Sequence, residues 1–195
     1  MRIFVALDLD KAIRERIERF MDGVREFVPD ARWVRPESLH LTLKFVGEKP
    51  LDVVEEIKRG LAGIQSPRVE ITYRGYGFFP TPRSARVFWI GIEAGPQLAK
   101  LAEAVDQATY AVGIPKEDRP FSPHLTLARG GRGSGAPARQ PGDQPNRGFQ
   151  RLQEKLNALP QPQFGTMTTR EFFLFQSQLS RGGARYTKIA SFQLT

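Results

Sequence analysis

The chain has 195 residues, a length that suits one compact domain or one domain built from two related lobes. Hydrophobic residues make up 40% of the sequence and charged residues 26%, which is the composition of a packed globular protein and excludes a disordered chain. Cys is absent, so disulfide frameworks, thiolate metal sites and Cys nucleophiles are excluded, and a reducing compartment is favoured.

The net charge and the shortness of the apolar runs predict the kind of binding partner and the cellular compartment of the protein. Lys and Arg number 29 against 21 Asp and Glu, and the net charge of +8 favours an anionic partner such as nucleic acid. A generally basic surface without such a partner is the alternative. The apolar run at 3–7 is too short for a signal peptide, and no stretch approaches the roughly 18 apolar residues that a membrane span needs. We therefore expect a cytoplasmic protein that does not enter a membrane.

Hydrophobic periodicity predicts strands and helices along nearly the whole chain. In chain order the pattern predicts a strand at 2–9, a helix at 11–28, a strand at 39–46, a helix at 51–64, strands at 69–79 and 86–92, a helix at 96–112, a strand at 122–128, a helix at 152–159, and strands at 164–178 and 184–194. Turn-rich links at 80–84 and 181–183 suit antiparallel hairpins, and Gly47 is predicted to end the strand before it. Hairpins mixed with helices indicate an α+β fold.

One segment interrupts this regularity. Residues 130–148 are rich in Gly, Pro and Arg and contain no Leu, Ile, Val or Phe to anchor them. We predict a flexible insertion there, within a single bilobal domain that spans residues 1–195. Its Arg residues could help to hold RNA phosphates, while an insertion with no role beyond solubility explains the composition equally well.

The two histidines of the chain each begin the same four residues, His-Leu-Thr-Leu, at 40–43 and 124–127. Alternate side chains of a strand share a face, so each His points the same way as the Thr two residues later, while the Leu residues point into the core. Similar helix and strand patterns surround both copies, which indicates an internal duplication whose lobes bring the two motifs face to face. The sequence therefore predicts one site built from two halves.

Two imidazoles on either side of a phosphate suit cleavage of a phosphodiester. One can take a proton from attacking water while the other gives a proton to the leaving oxygen, and the hydroxyls of Thr42 and Thr126 can donate hydrogen bonds to the phosphate oxygens. A metal site would need further ligands, and no third His, Cys or carboxylate stands at ligand spacing. A Ser-His-Asp mechanism lacks its G-x-S-x-G motif. We therefore expect catalysis that uses no metal and no cofactor.

At these residues the sequence resembles the two-histidine (2H) phosphoesterase superfamily, which is marked by a pair of H-x-[ST]-x motifs. The resemblance is to its branch of RNA 2',3'-cyclic phosphodiesterases, also called LigT-type 2'-5' RNA ligases. It extends to RIFVALDLD at 2–10, WVRPESLHLTLKFVGE at 33–48, GYGFFPTPRSARVFWIGI at 75–92, RPFSPHLTLAR at 119–129 and FFLFQSQLSRGGARY at 172–186. Nearly the whole chain is covered, with the exception of the 130–148 insertion.

The resemblance implies a bilobal α+β fold with pseudo-two-fold symmetry, in which two antiparallel sheets form a central cleft and the helices lie outside. It implies a cofactor-free monomer that hydrolyses RNA 2',3'-cyclic phosphate ends to 2'-phosphomonoesters, with reversible 2'-5' ligation in some members. By residue match, His40 would be the proton donor to the departing O3' and His124 the proton acceptor that activates water. The matched positions Thr42, Thr126 and Arg129 would bind phosphate.

Phe45 matches a family position that contacts the base side of the substrate. Strand alternation places both Phe45 and Arg129 on the face opposite to their histidines, unless each strand ends or bulges before them. Gly47 and the glycines at 130–131 make such endings plausible. Core packing is the alternative role for Phe45, and a plain surface charge is the alternative for Arg129.

Rival functions and further base contacts stay open at this point. A 2H enzyme acting on 2'-5' oligoadenylates or other small nucleotides has the same motifs, and a non-catalytic RNA-binding module would use the same cleft. The second rival has no need for two proton-transfer groups. Tyr76, Phe78 and Phe121 could stack on a nucleobase, although packing in the core explains these aromatic residues equally well.

Overall fold

The structure is a computed structural model that describes residues 1–130, 146–181 and 183–195. Its strands are β1 (Arg2–Asp8), β2 (Arg32–Trp33), β3 (His40–Glu48), β4 (Val69–Phe79), β5 (Val87–Ala94), β6 (His124–Arg129), β7 (Gln163–Thr169), β8 (Glu171–Ser180) and β9 (Gly183–Gln193). Its helices are α1 (Lys11–Val24), α2 (Leu51–Ala62), α3 (Pro96–Tyr110) and α4 (Arg147–Asn157), with short 3-10 helices at Arg25–Phe27 and Pro36–Ser38. None of the helices in these ranges has the length and apolar character needed to cross a bilayer.

The strands form two sheets related by the predicted duplication. One has the order β3-β1-β8-β9 and the other the order β2-β6-β5-β4-β7, and each pairing of neighbours is antiparallel. The order β3-β1-β8-β9 matches β6-β5-β4-β7 strand for strand, so β3 and β6, which carry the two His-Leu-Thr-Leu motifs, occupy equivalent places. The predicted α+β fold with two antiparallel sheets is confirmed.

The two faces of the first sheet have different tasks. On β1 the side chains of Ile3, Val5 and Leu7 join the main hydrophobic core, which also contains the buried face of α1. Phe4 and Ala6 point the opposite way, as expected for a strand, and belong to a separate cluster with Phe173, Phe175 and Tyr186. The face with Ile3, Val5 and Leu7 therefore packs against the helices, and the face with Phe4 lines a cavity.

Two predicted strand boundaries are wrong, one at Gly47 and one within 164–178. Gly47 does not end its strand: it adopts a φ of +87°, which glycine tolerates without a steric cost, and β3 continues to Glu48. The strand predicted at 164–178 is two strands that belong to different sheets. They are separated at Arg170, where the Thr169 hydroxyl donates to the Glu171 carbonyl at 2.9 Å.

The predicted helix at 152–159 begins earlier in the structure. α4 starts at Arg147, because the Asn146 side chain accepts a hydrogen bond from the backbone N–H of Phe149 at 3.0 Å, and the Phe149 ring is fully buried. The helix thus takes in the end of the segment predicted as a flexible insertion. The greater part of that segment, 131–145, lies outside the described residues.

Lys44 ties the two halves of the molecule together. It lies on β3, and its side chain is only 2% exposed. The ammonium group donates to the carboxylate of Asp106 on α3 and to the Pro115 carbonyl at 2.7 Å, and Asp106 also accepts from the backbone N–H of Glu117 at 3.3 Å. Because Pro115 and Glu117 lie in the segment that leads to β6, this ion pair connects the first His motif strand to the approach to the second.

Replacing Lys44 by Met should lower the free energy of unfolding by about 3 kcal/mol, because the Asp106 carboxylate then loses its buried cation. Urea unfolding followed by circular dichroism measures the change. Lys58→Met is the control, since it removes an exposed pair with Glu55 and should cost less than about 1 kcal/mol. An equally small loss in Lys44→Met would contradict the connecting role.

Candidate active site

A cavity of about 490 Å³ opens between the two sheets. The predicted site residues all line it, which brings together side chains from both lobes: His40, Thr42 and Phe45 from β3, and His124, Thr126 and Arg129 from β6. Six further residues that sequence reasoning missed complete the lining, namely Arg2, Phe4, Val34, Ser38, Ser177 and Tyr186. Alternation along β1 contained a signal for the first two, because Arg2 and Phe4 share the face of that strand that does not enter the main core.

Each histidine ring is held by the same backbone hydrogen bond. Nδ1 of His40 lies 2.8 Å from the Ser38 carbonyl oxygen, and Nδ1 of His124 lies 2.8 Å from the Ser122 carbonyl oxygen. A carbonyl oxygen only accepts, so Nδ1 carries the hydrogen in both rings. In each ring this leaves Nε2 as the nitrogen available for proton transfer.

Aromatic rings flank both imidazoles. The His40 ring lies 4.6 Å from the Phe4 ring and 5.1 Å from the Tyr186 ring, measured between centroids. The His124 ring lies 5.0 Å edge-on from Phe79 and 6.3 Å from Trp89. These contacts limit rotation of both imidazole rings.

A β-bulge in each motif strand explains how Phe45 and Arg129 reach the cavity. The pairing of β1 with β3 passes from Val5 opposite Lys44 to Ala6 opposite Thr42, so Leu43 is the extra residue. The pairing of β5 with β6 skips Leu127 in the same way, between Phe88 opposite Ala128 and Trp89 opposite Thr126. A bulge shifts the side-chain alternation by one residue.

The bulges therefore turn the fifth residue after each histidine onto the histidine's own face. Strand alternation alone predicted the opposite face for Phe45 and Arg129. Of the two explanations considered, a strand ending at glycine or a bulge, the structure shows the bulge. The Phe45 ring is 50% exposed, so it is not a core residue, and the Arg2 guanidinium lies over it at 5.2 Å from the ring centroid. None of the described residues that line the cavity is acidic, and Arg2 and Arg129 make it attractive to an anion.

The two halves differ in charge next to the histidines. Asp8 is the cross-strand partner of His40, whereas Gly91 is the partner of His124. The Asp8 carboxylate accepts from both Arg14 and Lys188. Burial alone would raise the pKa of Asp8, but the Lys188 hydrogen bond and the charges of Arg14 and Lys188 hold it below its ordinary value. Of the two cross-strand partners, that of His40 is therefore an ionised carboxylate and that of His124 has no charge.

Arg14 also holds the turn that precedes His40. Its guanidinium donates to the Pro36 carbonyl at 2.6 Å and to the Leu39 carbonyl at 3.3 Å, on either side of Ser38. The Ser38 carbonyl is the group that orients the His40 ring. The position of that ring thus depends on an arginine far from it in sequence.

Burial lowers the pKa of His40 below its ordinary value of 6.5. The Ser38 hydrogen bond and the Asp8 charge oppose this effect, and the charges of Arg129 and Arg14 add to it. In the empty cleft His40 is therefore neutral at neutral pH. A phosphate bound beside it would favour the charged imidazolium.

The aromatic residues considered as further base contacts do not line this cavity. Phe78 is buried in the main core, and Tyr76 and Phe121 pack against that core. The Tyr76 hydroxyl donates to the Asn157 side chain at 2.8 Å. Their role in the structure is core packing. Over the described ranges, no group of three or more His, Asp or Glu side chains is arranged to hold a metal ion.

Nuclear magnetic resonance should find a His40 titration midpoint below pH 6.5 in the free protein, because burial disfavours the imidazolium. Addition of inorganic phosphate should move this midpoint upward, since the anion stabilises the charged ring. The chain has two histidines, so a His40→Gln variant assigns the signals. A midpoint at or above 6.5 without phosphate would contradict the burial of this ring.

Comparison with known proteins supplies the family. A family model described as LigT like Phosphoesterase matches the chain over residues 7–89 and again over 90–186, so each match contains one His motif. An RNA 2',3'-cyclic phosphodiesterase of Methanothermobacter thermautotrophicus is 33% identical to this chain, with 100% of this chain and 99% of the relative covered. A protein of the same name from Archaeoglobus fulgidus is 31% identical, with 99% and 100% covered.

Solved structures agree with this comparison. The crystal structure of E. coli LigT complexed with 3'-AMP has a TM-score of 0.77 and 28% identity to this chain, with 100% of this chain and 98% of that chain covered. The family match spans both lobes, and the relatives match from end to end. The chain therefore belongs to the LigT-like phosphoesterase family.

Proposed function

We propose that the protein hydrolyses RNA 2',3'-cyclic phosphate ends to 2'-phosphomonoesters by acid and base catalysis with two histidines. The observation that carries the proposal is the pair of imidazoles in one cavity, each held at Nδ1 by a serine carbonyl and each followed by a threonine. The names of the full-length relatives support the choice of substrate. General acid and base groups placed on opposite sides of a phosphate are what this reaction needs.

In the proposed step water attacks the phosphorus atom and the bond from phosphorus to O3' breaks. His124 accepts the proton of the attacking water at Nε2, and His40 donates a proton from Nε2 to O3' as it leaves. The products are a 2'-phosphomonoester and a free 3'-hydroxyl. Each histidine ends the step in the protonation state in which the other began, so a proton must be exchanged with solvent before the next turnover.

The charge difference between the lobes supports His40 as the acid. An acid must hold its proton, and burial of His40 works against this in the empty cleft. Two negative charges oppose the effect of burial. One is Asp8, the cross-strand partner of His40, where His124 has Gly91 instead, and the other is the substrate phosphate itself. His124 then takes the part of the base.

The remaining cavity residues have proposed parts in binding. The hydroxyls of Thr42 and Thr126 donate to non-bridging phosphate oxygens, and the Arg129 guanidinium stabilises the charge that builds on them. The exposed ring of Phe45 provides a surface against which the terminal base can stack. All four residues lie on the same two strands as the histidines, so binding and chemistry share one framework.

We further propose that catalysis needs no metal and that the protein acts as a monomer in the cytoplasm. The absence of Cys supports a reducing compartment. In a 2'-5' ligation the 5'-hydroxyl of a second RNA would replace water as the nucleophile and O3' would still leave, so the two histidines would keep their parts. Cleavage of the 2'-5' bond, the reverse of that ligation, would exchange them, because the reverse of a proton donation is a proton uptake.

His40→Ala and His124→Ala should each lower kcat on an oligonucleotide with a 2',3'-cyclic phosphate end by about 10²–10⁴-fold, the usual contribution of one positioned proton-transfer group. Phosphorus magnetic resonance of the product distinguishes a 2'-phosphate from a 3'-phosphate, and the wild type should form the 2'-phosphate. The double variant should lose little more than either single variant, because the two groups act in one step.

Thr72→Val is a control for general perturbation, since Thr72 pairs with Thr166 on the second sheet and does not line the cavity. Thermal unfolding of each variant checks that the fold is retained. All reactions are run in EDTA, so loss of wild-type activity there would contradict the proposed metal independence. Near-native turnover by either alanine variant would contradict the two-histidine mechanism.

A further inference from the structure

Arg2 is a cation of the cleft that the proposed chemistry does not use. It lies on the same face of β1 as Phe4 and lines the cavity that contains both histidines. Its guanidinium is held over the Phe45 ring at 5.2 Å from the centroid. Arg2 and Phe45 therefore form one unit, with a positive charge placed directly beside the proposed base-stacking surface.

Over residues 1–130, 146–181 and 183–195, no salt bridge neutralises the charge of Arg2. Its cross-strand partner is Glu48, yet no carboxylate lies within salt-bridge distance of the Arg2 guanidinium among the described residues. The acidic side chain next to the cleft, Asp8, lies at the other end of β1 and is already paired with Arg14 and Lys188. Ser177, on the neighbouring strand β8, adds a hydroxyl to the lining. This end of the cleft is thus suited to an anion of its own.

The chemistry of an RNA end supplies such an anion. The terminal ribose carries the cyclic phosphate on its 2' and 3' oxygens, its base on C1', and, in an oligonucleotide, a phosphodiester on its 5' oxygen. When the cyclic phosphate lies between His40 and His124 and the base lies against Phe45, the 5' phosphate is the remaining anionic group on that nucleotide. A nucleoside 2',3'-cyclic monophosphate lacks it.

We propose that Arg2 binds the 5' phosphate of the terminal nucleotide and thereby makes the enzyme selective for oligonucleotide ends over nucleoside 2',3'-cyclic monophosphates. This inference rests on the proposed function, since it requires turnover of a 2',3'-cyclic phosphate in the same cleft. Arg2 is a specificity residue in this scheme: it contacts substrate away from the reacting atoms. Its removal therefore weakens the capture of substrates with a 5' phosphate more than the capture of substrates without one.

The test compares three adenosine substrates that share the 2',3'-cyclic phosphate: the nucleoside cyclic phosphate, the same compound with a 5' phosphate, and a dinucleotide. Arg2→Gln should lower kcat/KM about tenfold more for the two substrates with a 5' phosphate than for the first substrate. Arg2→Lys should keep most of the selectivity. For the dinucleotide, kcat/KM should depend less on salt concentration in Arg2→Gln than in the wild type, because one ionic contact is lost.

Arg19→Gln is the matched control, because it removes the same charge from an exposed position on α1 outside the cavity. Equal losses of kcat/KM on all three substrates would overturn the inference, since Arg2 would then act only by positioning the Phe45 ring or by stabilising the fold. No loss on any substrate, or the same loss in Arg19→Gln, would overturn it as well. If the wild type hydrolysed none of the three, the proposed function itself would fail and the inference with it, which distinguishes the two failures.

Discussion

The hydrogen bond from each histidine Nδ1 to a serine carbonyl two residues earlier is the constraint on which the site depends. It gives both rings the same tautomer and presents Nε2 of each to the same cavity. Before β3 the chain forms the short 3-10 helix Pro36–Ser38, and Arg14 holds this segment by donating to the carbonyls of Pro36 and Leu39. The proposed division of acid and base between the two imidazoles depends on this constraint.

Duplication gives the two lobes the same arrangement of strands, but different side chains occupy equivalent positions in the cleft. A bulge in each motif strand turns equivalent positions into the cleft, but the residue there is Phe45 in one lobe and Arg129 in the other. The cross-strand partner of the histidine is Asp8 in one lobe and Gly91 in the other. One half of the cleft therefore has an aromatic ring and a carboxylate near its histidine, whereas the other half has a guanidinium, and a glycine is the cross-strand partner of its histidine. A symmetric fold can act on an asymmetric nucleotide for this reason.

Sequence periodicity was enough to predict most of the elements and the shared face of each His and Thr, because these depend on regular alternation. It could not place the bulges at Leu43 and Leu127, because no residue type marks the extra residue of a bulge in the sequence. The bulges are visible only in the pairing of β3 with β1 and of β6 with β5. The break at Arg170 escaped prediction for a similar reason: 164–178 is one continuous strand-like pattern, and only tertiary structure assigns its halves to different sheets. Tyr186 was missed because it reaches His40 from a strand remote in sequence.

The most direct measurement of the two-histidine account compares leaving groups. His40→Ala and His124→Ala are assayed on a cyclic phosphate end and on a nucleotide 4-nitrophenyl phosphodiester, whose leaving group departs without taking a proton. The account predicts that the defect of His40→Ala largely disappears on the 4-nitrophenyl ester, while His124→Ala stays impaired on both substrates because water must still be activated. Equal defects of both variants on both substrates would contradict the division of labour between an acid and a base.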